Sequence, residues 1–269
     1  MALALSTHPG PTVAVTVVTA VLGIGAGLDA GRIALVALAM LLGQVSVGLS
    51  NDWIDAARDA AVGRRDKPIA RGWVGVGTVR AASVVTLLLA VLLTLPLGWR
   101  ATAVHVVFIA SAWSYNLWLK RTPFSVLPFV VSFGLLPALV TLSGVPPLPA
   151  AWWALAAGAL LGVAAHFANV LPDLEADRIT GVRGLPHRVG ARGSGVVIAV
   201  SLAAASALVY VGSPDAVHLV GLAIGVALAI ACVALVLRGV ETRLLFRLII
   251  AAALLDVALL ALSGALLVA

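Results

Sequence analysis

Asn51-Asp52-Trp53-Ile54-Asp55-Ala56-Ala57-Arg58-Asp59 sets three carboxylates into a chain whose other segments are almost wholly apolar. On a helix Asp52, Asp55 and Asp59 stand at i, i+3 and i+7, and Asn51, Asp55 and Asp59 at i, i+4 and i+8, so either set shares one face. Carboxylates crowded at a membrane boundary repel one another unless a cation lies between them. An all-oxygen donor set suits Mg²⁺, which takes a few carboxylates and completes its shell with water and substrate phosphate. Taken alone, the stretch fits a solvated acidic helix end equally well.

A second copy argues against that plainer reading. Asn169, Asp173, Asp177 and Gly181 repeat the spacing of Asn51, Asp55, Asp59 and Gly63 at an offset of 118 residues. The same offset carries Arg65 to Arg183, Pro68 to Pro186, Gly72 to Gly190 and Lys120 to the basic Arg238.

The chain has 269 residues, of which 62% are hydrophobic and 10% charged. That is too apolar for a soluble domain and points to an all-α, polytopic protein of the cell membrane. About 20 apolar residues cross a bilayer as helix. Nine runs of that kind are predicted, over 11–28, 32–52, 79–97, 101–118, 124–143, 151–171, 195–212, 216–237 and 244–268, forming one domain over 1–269. The runs are continuous rather than alternating, which excludes a β-barrel. Two connections are long, 53–78 and 172–194, and each carries one acidic motif. Cys232 lies in an apolar run, so there is no disulfide or zinc framework. The net charge of +6 resides in short loops between spans, where it reads as topology signal and phosphate ligand rather than as a nucleic-acid surface. No Lys or Arg precedes Pro11, so the first run is expected to stay as a helix rather than be cleaved.

With nine spans, 15 of the 17 Lys and Arg fall on the side of the N-terminus, leaving only Arg32 and Arg100 opposite. The positive-inside rule then puts the N-terminus and both acidic motifs in the cytoplasm and the C-terminus outside. An offset of 118 residues is four helices, an even number, so the repeats, about 32–143 and 151–268, are expected to be parallel, with the first run as an extra helix. Such an arrangement brings the two acidic ends face to face across a central cavity, a geometry for two metal ions holding one diphosphate. The basic residues nearby are its expected partners: Arg64, Lys67 and Arg71 after the first motif, Lys120 on the same side, and Arg183 in the second copy. Arg58, Arg80, Arg121, Arg192, Arg243 and Arg247 read instead as membrane anchors.

Asn51-Asp52-xx-Asp55-xxx-Asp59, Arg64-xx-Lys67-Pro68, Gly72, Tyr115-xxxx-Lys120-Arg121 and Asp173-xxx-Asp177-xxx-Gly181 together resemble the UbiA family of membrane prenyltransferases. The resemblance implies two aspartate-rich motifs that bind Mg²⁺, two ions in all, and an isoprenyl diphosphate. It implies ionisation of the allylic C–O bond and capture of the cation by a lipophilic or aromatic acceptor, such as a lipoquinone precursor. It makes Asn51, Asp52, Asp55, Asp59, Asn169, Asp173 and Asp177 metal ligands, with Tyr115, Lys120, Asp55 and Asp173 closest to the chemistry. Lys67, where Arg is common, and Arg71, where a small residue is common, depart from the family pattern.

An allylic cation needs a dry site with π faces. Trp53, Tyr115, Trp118 and Phe167 lie near the motif ends of their runs, although Trp and Tyr favour membrane boundaries in any case. His166, three before Asn169, and Gln44, seven before Asn51, are either contacts to the acceptor or interhelical hydrogen bonds. Asp256, alone in the last run, reads as a structural hydrogen bond. Two rivals remain: a terpene cyclase on the same scaffold, in which an internal alkene captures the cation, and a polytopic cation transporter. The transporter is disfavoured because its ionisable groups would sit near mid-membrane rather than beside basic loops.

Overall fold

The computed structural model describes residues 2–61, 63, 67–174, 177, 181–238 and 243–269, without the side chains of Asp173 and residues 243–246. Among these residues the chain is helical throughout, with α1 over Ala2–Leu5, α2 over Pro9–Gly25, α3 over Ala30–Ala61, α4 over Val76–Thr94 and α5 over Trp99–Leu117. Then come α6 over Leu127–Leu142, α7 over Trp152–Val170, α8 over Leu185–Gly212, α9 over Ala216–Leu237 and α10 over Arg243–Leu262. Five helical segments, Ala30–Ala61, Val76–Leu97, Trp152–Val170, Leu185–Gly212 and Ala216–Leu237, are long and apolar enough to cross a membrane.

Each of the nine apolar runs coincides with one of α2 to α10, and the short α1 is an additional helix. The boundaries differ most at the acidic motifs. α3 does not stop near residue 52 but continues to Ala61, giving 32 residues and a length of about 48 Å against a bilayer core of about 30 Å. Apolarity ends before the helix does, because Ala56, Ala57 and Ala60 favour helix and the carboxylates find partners. α8 likewise begins ten residues ahead of the expected 195 and is broken at Gly190 (φ 77°, ψ 171°), a conformation open to glycine. Its first turns therefore leave the axis of the span.

Neighbour follows neighbour around a ring. α2 packs on α3, α3 on α4 and α5, α5 on α6, α6 on α7, α7 on α8, α8 on α9 and α10, and α10 returns to α2. One core, with Leu22, Met40, Phe108, Leu139 and Trp153, gathers the ends of the helices remote from the acidic motifs. A second, with Phe167, Ile198, Leu202 and Cys232, joins α7 to α8, α9 and α10. Asp256 is buried in α10 and accepts a hydrogen bond from Ser206 on α8.

Small residues let α6 and α7 approach closely, as between helices in lipid. A Cβ at Gly162 would lie 2.3 Å from the Phe129 carbonyl oxygen, and one at Gly158 would lie 2.5 Å from that of Phe133. Pro137 in α6 lacks the N–H that Phe133 would otherwise accept, which loosens the ladder at this crossing. Gly162→Ala is therefore expected to lower stability by about 1–3 kcal/mol, the usual cost of overpacking. Thermal unfolding of the solubilised protein measures it.

Candidate active site

The ring encloses a cavity of about 740 Å³. Its deep part is apolar, lined by residues such as Leu22, Phe108, Leu136, Leu161 and Leu260. Its other end collects the polar side chains: Asn51, Asp55 and Arg58 from α3, Lys67 and Lys120 from the connections, Asn169 at the end of α7, and Asp177. The two acidic copies thus open onto one chamber.

On α3, Asn51 and Asp55 face that chamber. The Asn51 amide nitrogen donates to Asn116 Oδ1 at 3.2 Å, and Asn116 is itself oriented by donating to the Val47 carbonyl at 2.9 Å and Ser50 Oγ at 2.8 Å. Asn51 Oδ1, the atom a hard cation takes, accepts nothing among the described residues. Both oxygens of Asp55 accept from Lys120 Nζ at 2.6 Å, and Oδ2 also accepts from Arg58 Nη2 at 3.0 Å. Asp55 is 2% exposed and Lys120 5%. Lys120 sits in the tight turn Leu119–Arg121 that follows α5. Burial pulls its ammonium below the ordinary lysine range, and the Asp55 charge pushes it back up. Arg58, expected to be an anchor, instead bridges Asp55 and Asp59. Asp59 is buried and does not line the cavity.

Asp52 is on a different face. It does not line the cavity, and its Oδ1 lies 2.7 Å from Lys67 Nζ and 3.1 Å from His8 Nε2. In the second copy, Asp177 Oδ2 is 3.4 Å from His187 Nε2. Asp173 ends the tight turn Leu171–Asp173 after α7, with its side chain outside the described residues, as is Arg64 altogether. Arg71 is exposed with its guanidinium 4.5 Å from the Trp73 ring, Arg183 is exposed, and neither lines the cavity.

Tyr115 lines the chamber, edge-on to Phe129 at 5.2 Å and to His166 at 5.7 Å. His166 also lines it, its Nε2 3.0 Å from Ser125 Oγ, and Gln44 lies deeper. Two further candidates lie elsewhere. Trp53 donates to Ser83 Oγ at 3.1 Å between α3 and α4, and Phe167 is buried in the core of the second half. Trp118 is 55% exposed and off the cavity. Sequence reasoning missed His8, His187, Asn116 and the placement of Arg58. An amide inside an apolar run was the one available signal, for Asn116, since such a group is costly in lipid without a partner.

The donor chemistry fits a hard divalent cation: carboxylate and amide oxygens from both copies, with Asn51 Oδ1 uncommitted. Lys120 and Arg58 hold positive charge where such an ion would neutralise Asp55. Among the described residues no three His, Cys, Asp or Glu side chains converge on one point, so any ion here takes part of its shell from amides, water or substrate oxygens.

No curated protein matches the sequence. Solved structures with the same fold include a UbiA homolog from Archaeoglobus fulgidus bound to DMAPP and Mg²⁺, at 12% identity and TM-score 0.76, with 99% of each chain covered. An apo UbiA homolog from Aeropyrum pernix K1 follows at 18% identity and TM-score 0.70, covering 90% of this chain and 94% of that one. A digeranylgeranylglyceryl phosphate synthase aligns at 16% identity and TM-score 0.69 over 98% of both chains. The sequence itself matches the UbiA prenyltransferase family over residues 12–247. With apolar helices ringing a chamber that gathers both acidic copies, this integral membrane chain belongs to the UbiA prenyltransferase family.

Proposed function

We propose that the protein transfers an isoprenyl group from a prenyl diphosphate to an aromatic or quinone-precursor acceptor, with Mg²⁺ and release of diphosphate. The observation that carries this reading is the single chamber with an apolar interior and one end bearing Asn51, Asp55, Lys67, Lys120, Asn169 and Asp177. That polarity matches a substrate with a hydrocarbon tail and a diphosphate head. The A. fulgidus homolog, which binds DMAPP and Mg²⁺, supports the same assignment.

In the proposed reaction the allylic C–O bond breaks and its electron pair leaves with the diphosphate. The acceptor carbon then bonds to the allylic cation and gives up a proton. Two Mg²⁺ ions, held by Asn51, Asp55, Asn169, Asp173 and Asp177, would supply neutralising charge to the leaving diphosphate, whereas Asp59, expected as a ligand, lies off the chamber. Lys120, Lys67 and Arg58 add fixed positive charge at the same end, where low dielectric strengthens it. Tyr115 and Phe129 present ring faces and edges to the chamber, and the apolar walls keep water from capturing the cation. We assign Arg64 to the same diphosphate end from its place beside Lys67.

We further infer nine spans, α2 to α10, with α3–α6 and α7–α10 as parallel repeats within one domain. The tight pairing of α3 with α4 and of α7 with α8 supports the repeat. By the 15-to-2 charge split the acidic ends are cytoplasmic. A reporter fused after Ala269 is expected to signal the extracytoplasmic side; a cytoplasmic signal contradicts the span count.

The activity is tested by incubating purified protein with a panel of prenyl diphosphates, alone and with aromatic acceptors, with Mg²⁺ or with excess chelator. A prenylated acceptor formed only with metal is the expected product. A cyclised hydrocarbon formed without acceptor would identify a terpene cyclase instead, and full activity in chelator would remove the metal from the account.

A further inference from the structure

Gly48 and Asp52 stand one turn apart on α3, Gly48 lining the chamber beside Asn51 and Asp55 and Asp52 turned off it, and three separate pieces of chain meet there. The Thr7 carbonyl lies against Gly48, where a Cβ would come within 2.2 Å of its oxygen. His8 follows in the left-handed region (φ 52°, ψ 65°), rare for a residue other than glycine. Although His8 occupies the N-cap position of α2, its side chain caps nothing there; its Nε2 lies 3.1 Å from Asp52 Oδ1 and 3.1 Å from Lys67 Nζ. Lys67 Nζ in turn donates to Asp52 Oδ1 at 2.7 Å. Backbone in that conformation persists where its surroundings fix it, and the two contacts, on Gly48 and on Asp52, do so.

Asp52 itself is 2% exposed and does not line the chamber, whereas Lys67 and His8 do. A metal ligand must present an oxygen to the chamber; Asp52 gives Oδ1 to an ammonium that faces the chamber, while its Oδ2 is buried off it with no hydrogen-bond partner among the described residues. Nε2 of His8 can donate to Asp52 or accept from Lys67, but one nitrogen cannot do both. In either case the three groups are held as a unit. We propose that Asp52 is a positioning residue rather than a metal ligand: it aims the Lys67 ammonium into the chamber and, through His8, fixes the segment before α2 as part of the chamber wall. One helix thus serves the site in two ways, with Asn51 and Asp55 toward the metals and Asp52, off the chamber, toward the cation that meets the diphosphate.

The inference rests on the chamber being the diphosphate site, and its test has one arm that does not. Lys67 and Lys120 are the chain's only lysines, so acylation of the full-length solubilised protein, read by mass spectrometry, reports each separately. Asp52→Asn is expected to raise Lys67 labelling about tenfold while Lys120 stays within about twofold, because the amine group is no longer held against the Asp52 carboxylate and is freer to meet the reagent. His8→Ala should raise it by less. Binding of inorganic diphosphate with Mg²⁺, measured by calorimetry, should weaken about tenfold in Asp52→Asn and in Lys67→Ala, and no further in the double variant. The half-saturating Mg²⁺ concentration should stay within about twofold of wild type in Asp52→Asn and rise in Asp55→Asn. Unchanged Lys67 labelling, or a Mg²⁺ requirement raised in Asp52→Asn as in Asp55→Asn, overturns the proposal. Failure of the wild-type protein to bind diphosphate overturns the functional reading instead, while the labelling arm still decides whether Asp52 holds Lys67.

Discussion

Asp55→Asn is expected to lower turnover at least a hundredfold, about 2.7 kcal/mol of transition-state stabilisation. Asp55 is the one carboxylate of the first motif that faces the chamber, and two of the basic groups at that end, Lys120 and Arg58, converge on it. Its loss removes a proposed metal ligand and releases two cations from their fixed positions at once. Asn is preferred to Ala because it keeps the volume and one acceptor oxygen. Removing a charge from a buried pair costs about 3–5 kcal/mol of stability, so the folded fraction must be measured alongside turnover. Initial rates of product formation at saturating prenyl diphosphate, normalised to folded protein, read the effect.

Lys120→Met should have a comparable effect on turnover, about a hundredfold, with a smaller change in KM. The side chain is buried at 5% exposure, and both Asp55 oxygens fix its ammonium. An ammonium so held costs no reorganisation when charge develops on the leaving diphosphate. Methionine preserves the aliphatic stem, so the loss is assigned to charge. Arg192→Ala, a change in a side chain that lines no part of the chamber, is expected to alter rates only a few-fold. A rise confined to KM in Lys120→Met would mean that Lys120 binds substrate without favouring the departure of diphosphate.

The all-helical character was legible because apolar runs of membrane length leave little choice: helix is the open structure that satisfies its backbone in lipid. Helix ends were less legible at the motifs. Hydropathy ends near residue 52 in α3, yet Asp55 and Asp59 find Lys120 and Arg58, and the helix runs on to Ala61. In the site, the two copies share a spacing, and the structure has Asn51, Asp55, Asn169 and Asp177 lining one cavity with Lys67 and Lys120. The spacing did not separate Asp52 from Asp55, since i, i+3 and i, i+4 patterns describe adjacent faces of one helix. Which face meets the chamber is decided by α2 and by the segment carrying His8, and neither carries a charge pattern. Trp53 and Phe167 were drawn to the site by proximity in sequence, but Ser83 holds the first between helices and the α7–α8 core buries the second.

The central claim is that the two acidic copies form halves of one diphosphate site. Turnover of Asp55→Asn, Asp173→Asn and the double variant tests it most directly, with membrane-inserted folded protein verified for each. The account predicts that each single change lowers metal-dependent turnover at least a hundredfold and that the double variant is much less impaired than the product of the two, because both copies act on one leaving group. Near-normal turnover in folded Asp173→Asn, or full multiplicative loss in the double variant, would contradict it.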